Sequence, residues 1–442
     1  MNELVVKVLQ RNYITDIRNT ILTITSFFLI LDSTLTNATP TASSGCSFKD
    51  FTATASAQVQ QIAACATAVG DVTIQGDSFG DIQLTGLEQF YGDLHVNNAT
   101  KAVTVNAPTL QLVSGELEFN GNTILSSINL AQLTTVGSLN LNALPALEDL
   151  GLASGLTSAE SVVISDTGLS SLSGIDVYQL QTFNVNNNGN IDSIDSGLRE
   201  VTDTLDISYN AEKVDVSFPQ LKSAKNIVLQ SINSISAPNL TATNGSVAIS
   251  SSSVEKIKFA QLTNIGSSLT INKNEDLTDL EFPKLTTIGG ALNIADNDDL
   301  KSFSGFPELK SIGGSVNING TFDNGTFESL TRIAGGFTLK TDGDLSCSAF
   351  NKLNSNGDVR GDKFQCEDRQ TTSSSSSKKS GSSTATDSSS DETDSSSSGS
   401  SDSSSSGSSS SSSSSTRNAA SSNTGKLASV VAAFAGVGIA LF

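Results

Sequence analysis

The stretch Leu285–Leu300, LTTIGGALNIADNDDL, carries the pattern that decides the fold. Leu292 and Ile294 flank one polar residue, the period-2 signature of a half-buried strand. Gly290 stands two residues before this strand core, and Asn297 five residues after its first apolar position. The same core recurs with its first apolar residue at Val72, Leu94, Leu117, Leu139, Val162, Phe183, Leu205, Ile227, Val247, Leu269, Leu292, Val316 and Phe337. Successive markers are 20 to 24 residues apart. A sustained period of about 20–29 residues is that of leucine-rich-repeat solenoids, in which each repeat forms one coil stacked on the next.

Other positions hold the same register. Gly lies two residues before the marker at Gly70, Gly92, Gly115, Gly137, Gly245, Gly290, Gly314 and Gly335, and a tight turn needing positive φ there would select it. Asn122, Asn188, Asn210, Asn274 and Asn297 stand five residues after their markers, with Asp77, Thr167, Ser252, Thr321 and Asp342 as short polar substitutes. Stacked amides at that corner would satisfy buried backbone groups of the turn. An L-x-x-I segment before the strand, as at Leu285–Ile288 or Leu309–Ile312, is too short for a long helix and implies a second short strand or turn. The expected fold is all-β: a right-handed, leucine-rich-repeat-like parallel solenoid of about 13 coils, about 60 Å long at 4.8 Å per strand.

A solenoid needs capped ends. Cys46 and Cys65 lie 19 residues apart before the first coil, and Cys347 and Cys366 lie 19 apart after the last. The spacing predicts bridges Cys46–Cys65 and Cys347–Cys366, one per cap, and is not a metal-binding pattern. The organisation expected is a secretory signal at 1–38, an N-terminal cap at 39–70, the solenoid at 71–345 and a C-terminal cap at 346–369. A stalk at 370–417 and an attachment signal at 418–442 follow.

The signal reading rests on Lys7, Arg11 and Arg18, then the apolar run Thr20–Leu31, then small residues up to Ala38. The stalk, with 29 Ser in Ser373–Ser415, has too little apolar surface to fold, and Ser-rich stalks of secreted proteins are commonly O-glycosylated. Small residues at Asn418–Ala420, a polar spacer and the apolar tail Leu427–Phe442 match a glycosylphosphatidylinositol (GPI) signal. Asn418 is the expected attachment residue, with Ser413–Ser415 as alternatives. The N-x-S/T sequons at Asn98, Asn239, Asn244, Asn319 and Asn324 are expected glycosylation acceptors, whereas Asn37 falls within the signal.

The marker and the residue two later face the core, so the residue between them faces out: Thr73, His95, Glu118, Asn140, Val163, Asn184, Asp206, Val228, Ala248, Thr270, Asn293, Asn317 and Thr338. A glycosidase needs two carboxylates about 5–9.5 Å apart. In this row only Glu118 and Asp206 are acids, four coils apart or about 19 Å by strand spacing. His95 is expected to stand alone as an ordinary surface or cap residue. The row has no aromatic for stacking on sugar rings, and Tyr91, Tyr178 and Tyr209 form no stripe. With 25 Lys+Arg against 45 Asp+Glu the net charge is −20, which gives nucleic acid no electrostatic foothold. The absence of Trp likewise argues against a sugar-stacking groove, and a single His argues against His-based catalysis and multi-His metal sites. No catalytic, cofactor-binding or metal-ligating residue is expected.

Several segments resemble one family. They are Cys46-Ser47, Val69–Ile74 after Cys65, Ile288–Asn297, Ser346–Leu353 (SCSAFNKL) and Gly361–Cys366 (GDKFQC), followed by the Ser stalk and lipid signal. The chain is similar over nearly its whole length to fungal GPI-anchored cell-wall organisation proteins, the extracellular-mutant and sporulation-specific proteins with receptor-L-domain-like repeats. The resemblance implies a non-enzymatic, mannosylated surface glycoprotein required for wall organisation and integrity, in some members of the spore wall. It would sit on the outer leaflet of the plasma membrane or be joined to wall β-glucan through its anchor remnant, beside other wall components. The alternative is a receptor-like or adhesive module that binds glycan or protein.

Overall fold

The computed structural model describes residues 42–369. The expected signal, stalk and attachment signal, with Asn37 and Asn418, lie outside the described residues. Within them the chain is a parallel β-solenoid, whose main sheet has 21 strands counting the two-residue pieces. Every marker pairs with the marker of the next coil, from Val72↔Leu94 to Val316↔Phe337. The register is unambiguous because a one-residue slip would put every core side chain on the solvent side. Each cap adds one strand to this sheet: Ser47–Ala53 pairs with Thr67–Gln75, and Phe364–Glu367 with Phe337–Thr341. Both disulfides form, Cys46–Cys65 and Cys347–Cys366. Each lies beside a short helix, Ser56–Ala63 and Ser348–Ser355, whose apolar residues Val59, Ile62 and Phe350 cover the ends of the core.

The L-x-x-I segments supply two-residue strands just ahead of the main strand, and Thr287–Ile288 pairs with Asn264–Ile265 before it and Ser311–Ile312 after it. Three smaller parallel sheets lie elsewhere on the coil circumference. They comprise Asp81–Gln83, Thr104–Asn106 and Ser127–Asn129; Ser193–Asp195, Asp215–Ser217 and Ser234–Ser236; and Lys256–Lys258 with Asp279–Glu281.

Two expectations about the corners change. Among the eight marker-minus-two glycines only Gly70 and Gly92 have positive φ. The rest are selected by crowding: a Cβ on Gly137 would lie 2.7 Å from the Gly115 carbonyl oxygen, and one on Gly335 2.7 Å from the Gly314 carbonyl carbon. The left-handed residue sits instead four after the marker. Asn98, Ala143, Asp166, Asn187, Tyr209, Ser231, Ser251, Lys273 and Asp296 all have φ between 51° and 57° there, and Gly76 and Gly121 are also left-handed, whereas Gly320 and Thr341 in the last two coils are not. A left-handed residue other than Gly costs about 1–2 kcal/mol. This corner recurs because it swings the next side chain inward.

That next residue forms the amide ladder. Asn188 Nδ2 donates to the Ile164 carbonyl at 3.0 Å, while its Oδ1 accepts from the Thr167 N–H at 3.0 Å. Asn122, Asn210, Asn274 and Asn297 repeat the bond to a backbone carbonyl of the preceding coil at 2.6–3.1 Å. Asp77, Thr321 and Asp342 do not take part. All three are exposed, Asp77 pairs with Lys101, and Thr341 rather than Asp342 bonds Phe322 N and O. Where the ladder position is apolar, at Ala99, Leu144 and Ile232, it joins the core.

Candidate functional site

The outward row of the main sheet lies where the alternation puts it: each of its residues is part-exposed or exposed between two buried neighbours. A second outward row runs two residues further on and includes Asn97, Asn120, Asn142, Asn186 and Asn272. Its side chains bond to one another along or across coils, as in Ser165 Oγ to Asn186 Oδ1 at 2.7 Å and Gln230 Nε2 to Ser250 Oγ at 3.2 Å. The face is therefore a hydrogen-bonded amide and hydroxyl surface.

One place on it departs from the sequence expectation. His95 is not alone. It pairs in register with Glu118 on the next coil, and Glu116 reaches it from the same strand as Glu118. His95 Nε2 lies 3.5 Å from Glu116 Oε2, and Nδ1 lies 4.0 Å from Glu118 Oε2. Glu118 Oε2 accepts from Asn97 Nδ2 at 2.7 Å, and Glu116 Oε1 from Asn140 Nδ2 at 3.2 Å. The signal for Glu116 was present, since residues two apart on a strand share a face. It was missed because only the column between the two core positions was followed outward.

Donor atoms of His95, Glu116 and Glu118 lie within 4.8 Å of one another, so a carboxylate pair exists that the sequence expectation did not contain. Asp206 stands apart from it. Burial pushes its carboxyl up from the ordinary value, and a hydrogen bond from Ser208 Oγ acts in the opposite direction. Two grooves open elsewhere. One of about 520 Å³ is lined by Glu160, Tyr178, Gln179, Gln181 and Thr202, and the Arg199 guanidinium lies 4.6 Å from the centre of the Tyr178 ring. The other, of about 350 Å³, is lined by Glu281, Phe282, Pro283, Ser302 and Ser304. The five sequon residues Asn98, Asn239, Asn244, Asn319 and Asn324 are all exposed, although Asn239 Nδ2 donates to the Pro219 carbonyl at 2.7 Å. Among the described residues no helix is long and apolar enough to cross a membrane.

A stack of parallel coils sealed at both ends by disulfides, with an amide-rich face, defines a repeat protein suited to an oxidising compartment. The chain is 38% identical over 358 residues to the cell surface GPI-anchored protein ECM33 of Candida albicans, covering 80% of this chain and 86% of that protein. It is 33% identical over 322 residues to the cell wall mannoprotein PST1 of Saccharomyces cerevisiae, covering 72% of each. Sporulation-specific protein 22 of Saccharomyces cerevisiae is 26% identical over 306 residues, 68% of this chain and 66% of that protein. No family profile and no solved structure matches. The chain belongs to the ECM33 family of fungal cell-surface and cell-wall proteins.

Proposed function

We propose that this protein is a GPI-anchored cell-surface glycoprotein of the fungal cell wall that supports wall organisation and integrity as a structural element rather than as an enzyme. The observation that carries the reading is that similarity to surface and wall proteins extends over 358 residues, 80% of this chain. The coil stack supplies a stiff body, because each coil is bonded to the next through its strands. The Ser-rich segment would hold that body away from the Asn418 lipid, and the exposed sequon residues Asn98, Asn239, Asn244, Asn319 and Asn324 would carry glycans. Transfer of the anchor remnant to wall β-glucan would fix the protein covalently among other wall components. Loss of the gene is expected to sensitise cells to wall-perturbing dyes. An unchanged wall, with no related copy compensating, would sink the reading. Release from membranes by phosphatidylinositol-specific phospholipase tests the anchor, and a glucan-hydrolysis assay on the purified chain tests the absence of activity.

A second reading, an adhesive or receptor-like module, is favoured by the groove beside Tyr178, whose ring is half exposed above polar side chains. Exposed aromatic rings with nearby amides suit contact with sugar rings. Saturable binding of a defined glycan on an array, lost in Tyr178→Ala, would favour this reading over the structural one.

A further inference from the structure

The only histidine of the chain is placed where a lone surface imidazole would not be expected. The Nε2 atom of His95 is shut off from solvent and has no hydrogen-bond partner, since the Glu116 carboxylate beside it is out of hydrogen-bond alignment. A nitrogen buried beside a carboxylate without a bond, on a ring whose other nitrogen faces a second carboxylate, is an unmet donor or ligand atom. Each carboxylate is also held by an amide from the second outward row, Glu118 by Asn97 and Glu116 by Asn140. Such orienting bonds, made by groups that do not themselves touch a metal, are the usual support of metal-ligating carboxylates.

We propose that His95, Glu116 and Glu118 form a binding site for a divalent metal cation of the zinc type, bridging the second and third coils. The donor spacing also fits such an ion. Zinc bonds to His and carboxylate are about 2.0–2.2 Å long, which sets tetrahedral donor separations of about 3.3–3.6 Å. His95 Nε2 and Glu116 Oε2 already lie 3.5 Å apart, and one donor from each of the three residues lies within 4.8 Å of the others. A small side-chain adjustment closes the set, with water completing the coordination. The imidazole selects zinc over calcium or magnesium, which prefer all-oxygen donors. The two carboxylates balance the cation's charge, so binding needs no further partner. The strand register places His95 opposite Glu118, so the ion would tie two coils together across the sheet face.

The single His makes the test direct. Imidazole NMR signals of the full purified chain at neutral pH are followed while zinc chloride is added alone. The expected result is a shift that saturates at one equivalent and is not produced by calcium or magnesium chloride. Glu116→Gln with Glu118→Gln, which keeps side-chain volume, is expected to weaken zinc binding at least tenfold. Imidazole signals that stay put through a tenfold excess of zinc would overturn the proposal. So would equal zinc affinity in the folded double variant. Should that variant fail to fold, the wild-type titration still decides.

Discussion

The two ends of the solenoid hold the same coil together by different means. From Phe259 onward the core contains a continuous run of ring contacts: Phe259, Phe282, Phe306, Phe327, Phe303, Phe350, Phe337 and Phe364, with centroids 4.9–6.2 Å apart. The last members come from the cap, so the helix Ser348–Ser355 and the final strand are fastened by aromatic packing as well as by a disulfide. At the N-terminal end Phe79, Phe90 and Phe119 are buried without a ring neighbour among the described residues. The Phe48–Phe51 ring pair of the N-terminal cap, 5.2 Å apart, lies within one strand and does not join the cap to the coils, so order there depends on backbone pairing, aliphatic packing, the Cys46–Cys65 bridge and polar contacts on the outer face. The comparison teaches that the repeat fixes backbone register while the filling of the core differs from end to end. Contacts in a solenoid are nearest-neighbour, so damage should stay local.

The largest effect is expected from Phe303→Ala. Phe303 is fully buried and touches Phe322, Phe327 and Phe350, so its loss leaves a cavity costing about 3–5 kcal/mol. Hydrogen exchange should quicken in the last three coils and the C-terminal cap, leaving the first coils protected. Equal loss at both ends would break the comparison.

Removing a bridge comes next. Each closes a loop with a sequence separation of 19, so chain entropy gives about 3 kcal/mol for either. The ends should nevertheless respond differently. Replacing Cys46 and Cys65 with Ser should fray the first coils, whereas replacing Cys347 and Cys366 should leave the cap docked through Phe350 and Phe364. Limited proteolysis of the two double variants distinguishes them, and faster cleavage at the C-terminal cap would reverse the ranking.

Asn188→Ala tests the element common to both ends. It strips partners from the Ile164 carbonyl and the Thr167 N–H inside the corner, and a buried group left unbonded costs about 1–3 kcal/mol. A loss of about 2 kcal/mol in denaturant unfolding is expected, and a neutral outcome would remove the ladder from the account of stability.

The smallest effect concerns Asp206. Burial raises its folded-state pKa, so folding favours the protonated acid and is penalised at neutral pH, where the group is charged in both states. The penalty is relieved as pH falls through the folded-state value. Asp206→Asn is therefore expected to raise Tm by about 1–2 °C at neutral pH, with the gain vanishing in acid, where the native carboxyl is itself protonated. A gain that grows on acidification would contradict this sign.

The repeat, the pairing of all thirteen markers, both disulfides and most of the Asn ladder were legible in the sequence. Each follows from local alternation or from a fixed spacing, and in a stack of near-identical coils a fixed spacing is also a fixed place in space. Three features were decided only by tertiary structure. The left-handed corner four residues after the marker is occupied by Asn, Ala, Asp, Tyr, Ser and Lys alike, so composition could not announce it. Most glycines before the strands are required by the backbone of the coil beneath, which their own turn does not reveal. The meeting of His95 with Glu116 and Glu118 needed two coils to be laid side by side. Residues 21 and 23 positions apart become neighbours only when the stacking of strands turns distance along the chain into one step across a sheet.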